Sequence, residues 1–340
     1  MTLSKLTRSG CVAMMLLLAA SHASAQTVTD SAALLSKGRA FTRALYAGET
    51  DSLYARLAPA FQQAIGGASG LETFAAQIAA QLGHETGVTL EDVVSVQGVA
   101  FYTRIARFEG LPAGTATISW SWRGDTILSG SVRPTPQPAP SEYVDYETRT
   151  ELRLPFSDEL TVFWGGRHPH QNYHVVYPSQ RFAYDLVIAR DGRTHSGDGT
   201  RNEDYYCFGR PMLAPAAGVI TTVIDTLPDN PPGEMTPAAP AGNHVVIDHG
   251  NGEYSLLAHL RSGSVIVGAG DSVSAGQQVG ACGNSGNTSE PHLHYHLQDS
   301  PTFSASAQGM PAFFTDYFAD DKLVRRGEPV RAQRIRPRVP

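Results

Sequence analysis

The sequence predicts two domains of different class, an α+β domain over residues 30–133 and a mainly β domain over residues 141–325. Three observations carry this expectation. Leu71, Phe74, Ile78 and Leu82 recur at helix spacing within the stretch 30–83. From Val99 the apolar period becomes two, and after Gly218 the chain breaks into short β-rich runs punctuated by glycine. Between these regions Pro134, Pro136, Pro138 and Pro140 alternate with other residues, which favours an extended, semi-rigid linker over residues 134–140. With 340 residues, 41% hydrophobic and 17% charged, the chain has the composition of a globular protein with room for two cores, which excludes a disordered chain.

Taken in order, the first element is an export signal over residues 1–25. Lys5 and Arg8 precede the apolar run 12–20, and Ala23-Ser24-Ala25 supplies a small-residue cleavage site. The run is too short to remain as a membrane anchor, and no later stretch approaches the ~18 apolar residues of a spanning helix. Removing the signal takes away Cys11, Lys5 and Arg8, so the net charge of −6 becomes −8. An acidic chain of this kind is a poor partner for nucleic acid. In an oxidising compartment the remaining cysteines, Cys207 and Cys282, are expected to form a disulfide.

Three helices are expected between residues 30 and 83, with Asp30 and Asp51 as N-caps. In the strand Thr115 to Trp122, Ala116, Ile118, Trp120 and Trp122 share one face and small hydroxyls the other, the mark of a half-buried antiparallel strand. Strands are expected over 141–160, then at Thr161 to Trp164, ended by Gly165-Gly166, then over 219–224, 244–247, 254–260 and 264–267. A proline-rich surface loop fills 228–240, and the arginines of residues 326–340 form a solvated tail.

The segment Pro291-His292-Leu293-His294-Tyr295-His296 carries the chemistry. In a strand, side chains at i, i+2 and i+4 stand on one face, so three imidazoles converge while Leu293, Tyr295 and Leu297 take the core side. Clustered histidines are usual zinc ligands. Spacing alone does not separate His292, His294 and His296. No HExxH helix is present, so no glutamate of that kind is available as a base.

Several further segments follow one another along the chain: Asn172-Tyr173-His174, Arg181 through Asp185, Leu257-Ala258-His259-Leu260, and Gly283-Asn284-Ser285-Gly286-Asn287 leading into Pro291-His292-Leu293-His294. Together with a glycine-spaced hairpin over 267–273 and 276–280, they resemble the M23 family of zinc metallopeptidases, the lysostaphin or LytM type, over about residues 160–320. The hairpin also resembles those of biotinyl and lipoyl carrier domains. A carrier needs a lysine at the hairpin tip, and none lies between Lys37 and Lys322.

The resemblance implies a LytM-type, barrel-sandwich-like antiparallel sheet in the second domain; the first weakly resembles the NTF2-like fold. It implies His174, Asp185 and His294 as ligands of Zn2+, His259 and His292 as catalytic residues, and His296 as a hydrogen-bonding support where relatives often carry glutamate. Ten residues separate His174 from Asp185, more than many members have, which reads as a longer loop. It further implies an endopeptidase acting on peptidoglycan peptides, periplasmic or secreted. The rival expectation is a non-catalytic LytM-like regulator that activates a cell-wall amidase; such domains usually lack the ligands that are all present here.

Overall fold

A computed structural model of the protein describes residues 31–96 and 98–338. The export signal and Asp30 lie outside them. The chain divides between Thr135 and Pro136 into two units, each with its own hydrophobic core.

In the first unit, helices α1 (Ser31–Tyr46), α2 (Thr50–Tyr54), α3 (Pro59–Ala64) and α4 (Gly67–Leu82) precede an antiparallel meander of β1 (Glu85–Val96), β2 (Val99–Phe108), β3 (Leu111–Arg123) and β4 (Thr126–Pro134). Among the described residues, four helices stand where the sequence predicts three. The helical stretch is cut more finely because Gly48 and Gly66, which follow α1 and α3, adopt positive φ, which ends a helix, and Pro59 starts a new one. Asp51 is not an N-cap but lies inside α2, behind Glu49. The aromatic face of β3 packs on α1: Ala116, Ile118, Trp120 and Trp122 are buried, Phe41 meets both tryptophans edge-on, and Trp120 Nε1 donates to Thr42 Oγ1 at 3.0 Å.

Among its described residues the second unit contains thirteen strands. They are β5 (Leu160–Trp164), β6 (Tyr184–Val187), β7 (Pro211–Leu213), β8 (Gly218–Ile224), β9 (Asn243–Asp248) and β10 (Tyr254–Leu260), then β11 (Ser272–Val273), β12 (Gln278–Ala281) and β13 (Leu293–Gln298). After them come β14 (Gly309–Met310), β15 (Phe314–Ala319), β16 (Lys322–Gly327) and β17 (Arg334–Pro337). The main sheet runs β11-β8-β9-β10-β13-β6-β5-β17-β15-β16, with β14 also on β13, and every pairing is antiparallel. Strand β13 therefore lies inside the sheet between β10 and β6. Leu293, Tyr295 and Leu297 are fully buried in the core, the sidedness that their alternation with histidine predicts.

Four sequence expectations are corrected here. Residues 264–267 form no strand, because Asp225 draws the Gly263 and Val265 amides to its own carboxylate. The glycine-spaced hairpin is no hairpin: β11 pairs with β8, and β12 pairs with β7 in a separate two-stranded sheet. The arginine-rich C-terminal segment is no solvated tail. Strand β17 pairs with β15 and β5, and Arg331 is buried with its guanidinium 4.2 Å from the Trp164 ring.

Residues 141–158 are the fourth case. They run across the unit without strand structure apart from a single bridge at Leu152 to Phe314. A buried carboxylate holds them instead: Glu253 accepts from Tyr146 Oη at 2.7 Å, Arg149 N at 2.6 Å and Thr150 N at 2.8 Å. Burial raises the Glu253 carboxyl, but these hydrogen bonds outweigh it and hold the group below its ordinary 4.5. A depressed folded value stabilises above the unfolded one and is lost as pH falls through the folded one. Glu253→Gln is thus expected to lower unfolding stability at neutral pH by about 2 kcal/mol, since bonds to a charged acceptor weaken. The deficit against wild type should shrink as the pH is taken below 4.5, and a pH-independent deficit in denaturant titrations would refute this account.

Candidate active site

The centre of the site follows from strand register. In the β6–β13 pair, Asp185 stands directly opposite His294, so neighbouring strands set their side chains together on one face. His174 reaches the same point from the preceding loop. The ten intervening residues are taken up by two short 3-10 turns, Tyr173–Val176 and Pro178–Gln180, before the chain enters β6.

His294 Nδ1 lies 2.9 Å from Asp185 Oδ1, His174 Nε2 lies 3.6 Å from Oδ2, and one donor atom from each of the three falls within 4.8 Å of the others. All three side chains are buried. His174 Nε2 is enclosed without a hydrogen-bond partner. An orphaned, buried acceptor beside a carboxylate is what a cation relieves, and this His/Asp/His group can hold a metal ion. Burial drives His174 down to about 3, which keeps it neutral and able to coordinate. Burial raises Asp185, but the imidazoles of His174 and His292 outweigh it and leave the carboxyl well below its ordinary value.

His259 and His292 stand beside this group. Their ring centroids are 4.8 Å apart, and the His259 ring is 5.7 Å from that of His294. His259 closes β10 where the β9 pairing loses register, and its φ of 59° is left-handed, a conformation that costs a residue with a β-carbon. The surroundings enforce it: His259 N donates to Ala241 O at 3.0 Å and Nδ1 to Ser285 O at 2.8 Å. Ser285 is held by the glycine-rich turn, where a β-carbon on Gly286 would fall 2.4 Å from Gly242 N. Burial holds His259 well below the usual imidazole range, so it is a neutral ring with its Nε2 lone pair free. His292 keeps Nδ1 on Glu290 O at 2.9 Å and near Thr288 Oγ1 at 3.0 Å, and its Nε2 lies 3.4 Å from Asp185 Oδ1. Burial pulls His292 down, yet the Asp185 charge prevails and raises it.

His296 shares the face of the strand but not the mouth of the site. It is fully buried, with Nδ1 3.0 Å from His294 Nε2. His244 and His249 bond to backbone carbonyls, His195 packs on Tyr205, and His168 stacks on His170; none joins the cluster. Sequence reasoning missed Ser285, Asn172 and Gln298 as partners of the histidines. Gln298 had a visible signal, since it continues the alternation 292, 294, 296 by one step.

Residues 203–305 match the sequence model of Peptidase family M23. This stretch is an M23 peptidase domain. The matched stretch of the M23 domain contains His259, His292 and His294, whereas His174 and Asp185 precede it. Among curated relatives, the peptidoglycan DD-endopeptidase ShyA of Vibrio cholerae is 47% identical over 57 residues, 17% of this chain and 13% of the relative. The cell division protein DipM of Caulobacter vibrioides is 26% identical over 204 residues, 58% of this chain and 31% of the relative. The chain thus spans less than a third of the length of either relative. Among solved structures, the catalytic domain of lysostaphin from Staphylococcus simulans aligns with a TM-score of 0.27 at 22% identity, covering 44% of this chain and 86% of that one.

Proposed function

We propose that the protein is an exported zinc endopeptidase that hydrolyses the peptide cross-links of bacterial peptidoglycan. The observation that carries this reading is the convergence of His174 Nε2, His294 Nδ1 and Asp185 in a buried group, with two further histidines alongside. Two imidazole nitrogens and a carboxylate oxygen are zinc donor chemistry, and three protein ligands leave a fourth position open. His174, Asp185 and His294 would hold the ion. When bound, zinc supplies a Lewis acid for the scissile carbonyl.

The remaining work belongs to the chain's own side chains. His259 has its Nδ1 proton committed to Ser285 O, so Nε2 accepts the proton of the attacking water. His292 has its Nδ1 proton on Glu290 O and presents Nε2 to the same space, where it stabilises the developing oxyanion and returns a proton to the leaving amine. The Cys207–Cys282 disulfide supports export, because such a bond persists in oxidising compartments such as the periplasm or the exterior. For the first unit, helices followed by a four-stranded antiparallel meander support an NTF2-like assignment.

Digestion of purified sacculi tests the reading. Dimeric muropeptides should fall to monomers, chelation should stop the reaction, added zinc should restore it, and no intact stem peptides should leave the glycan. Unchanged dimers together with stimulation of a partner amidase would replace the enzyme by the regulator.

A further inference from the structure

Behind His174 and His294 lie two fully buried carboxamides, Asn172 and Gln298. Each has its amide nitrogen committed to two backbone carbonyls. Asn172 Nδ2 donates to Gly166 O at 3.1 Å and Ala183 O at 2.9 Å; Gln298 Nε2 donates to Ser300 O at 2.7 Å and Thr302 O at 3.1 Å. Only the carbonyl oxygen of each is left, and an oxygen of this kind can only accept.

The consequence for the rings is determinate. Asn172 Oδ1 receives His174 N at 3.1 Å and His174 Nδ1 at 2.8 Å, so the ring proton of His174 sits on Nδ1 and Nε2 offers a lone pair toward Asp185. Gln298 Oε1 lies 2.8 Å from His296 Nε2, so that nitrogen carries the proton and His296 Nδ1 is an acceptor. His294 Nε2, 3.0 Å from it, must donate. The lone pair of His294 is thereby left on Nδ1, facing Asp185 Oδ1 at 2.9 Å. Two acceptors so placed repel unless positive charge lies between them.

We propose that Asn172 and Gln298 are positioning residues that set the ring tautomers of His174 and His294, the second acting through His296, so that both rings present a lone pair to one cation. The proposal rests on the zinc reading given above. The two carboxamides reach the same result by unequal routes: Asn172 acts directly within one turn, and Gln298 acts through an intervening imidazole along one face of β13. Outer partners of this type orient a ligand and typically change metal affinity about 10- to 100-fold when lost.

Nitrogen-15 NMR of histidine-labelled full-length mature protein reads the tautomers directly, both zinc-loaded and metal-free at a pH above the imidazole range. The expected pattern is His174 protonated at Nδ1, with His294 and His296 protonated at Nε2. Gln298→Met should introduce an Nδ1-protonated His294 population in the metal-free protein and weaken zinc binding about 10- to 100-fold in chelator competition. His296→Glu in the Gln298→Met background should restore both, because a carboxylate at that position accepts from His294 Nε2 without help from Gln298; a merely structural role for Gln298 would not be rescued. A wild-type His294 protonated at Nδ1, or a Gln298→Met protein with unchanged tautomers and affinity, overturns the proposal. Tautomers as assigned in a wild-type protein that binds no zinc would support the positioning role while overturning the metal reading.

Discussion

His294→Ala is expected to strip the protein of zinc and with it the activity. Of the histidines around Asp185, His294 makes the shortest approach, at 2.9 Å, and it sits opposite Asp185 in the β6–β13 register. Without it, only His174 and Asp185 remain to hold the ion, and two protein ligands leave half of a tetrahedral shell to water. Metal analysis after dialysis should find a single zinc ion per wild-type chain and nearly none per variant chain. The neighbouring substitution His296→Ala is the internal comparison. It removes a partner of the His294 ring but no donor atom of the group, so zinc should persist with about 10- to 100-fold weaker affinity. Full occupancy in His294→Ala combined with loss in His296→Ala would show that the ligand has been placed one step too early along the strand.

The histidine face of β13 is legible in the sequence because strand periodicity is a local property. Leu293, Tyr295 and Leu297 must take one face if the histidines between them take the other, and they do join the core. What periodicity cannot give is depth along that face. His292 and His294 both approach Asp185 while His296 is sealed beneath them, a difference set by which strands flank β13. Pairing between β6 and β13 joins residues more than a hundred positions apart, so Asp185 opposite His294 is reachable only through family resemblance. Two of the misses have a common physical origin. At residues 264–267 and 141–158, Asp225 and Glu253 capture backbone amides that a strand would otherwise use, and no propensity or pattern encodes a carboxylate arriving from elsewhere in the chain. The C-terminal arginines read as a solvated tail because charge dominates composition, yet β17 is a sheet strand with Ile335 as its buried anchor.

Substitution of His259 or His292 should separate turnover from metal binding. Neither residue contributes a donor atom to the His174, Asp185 and His294 group, so zinc content should stay at the wild-type level. Both rings have Nδ1 fixed by a backbone carbonyl, Ser285 O for His259 and Glu290 O for His292, which leaves Nε2 of each to handle protons in the space between them. Loss of a general acid or base typically lowers turnover about 10²- to 10⁴-fold. Because His259 occupies a left-handed backbone conformation, His259→Asn is the better probe: asparagine tolerates that region and leaves the β10 bulge undisturbed. His292→Ala carries no such complication. If the two rings serve one proton-transfer sequence, the double variant should lose little more than the worse single variant, since residues that act as a unit are strongly non-additive. Initial rates on dimeric muropeptides, measured beside zinc content and thermal unfolding, check this. A variant that keeps both zinc and near-normal turnover removes its histidine from the reaction, and multiplicative losses in the double variant would place the two rings in separate steps.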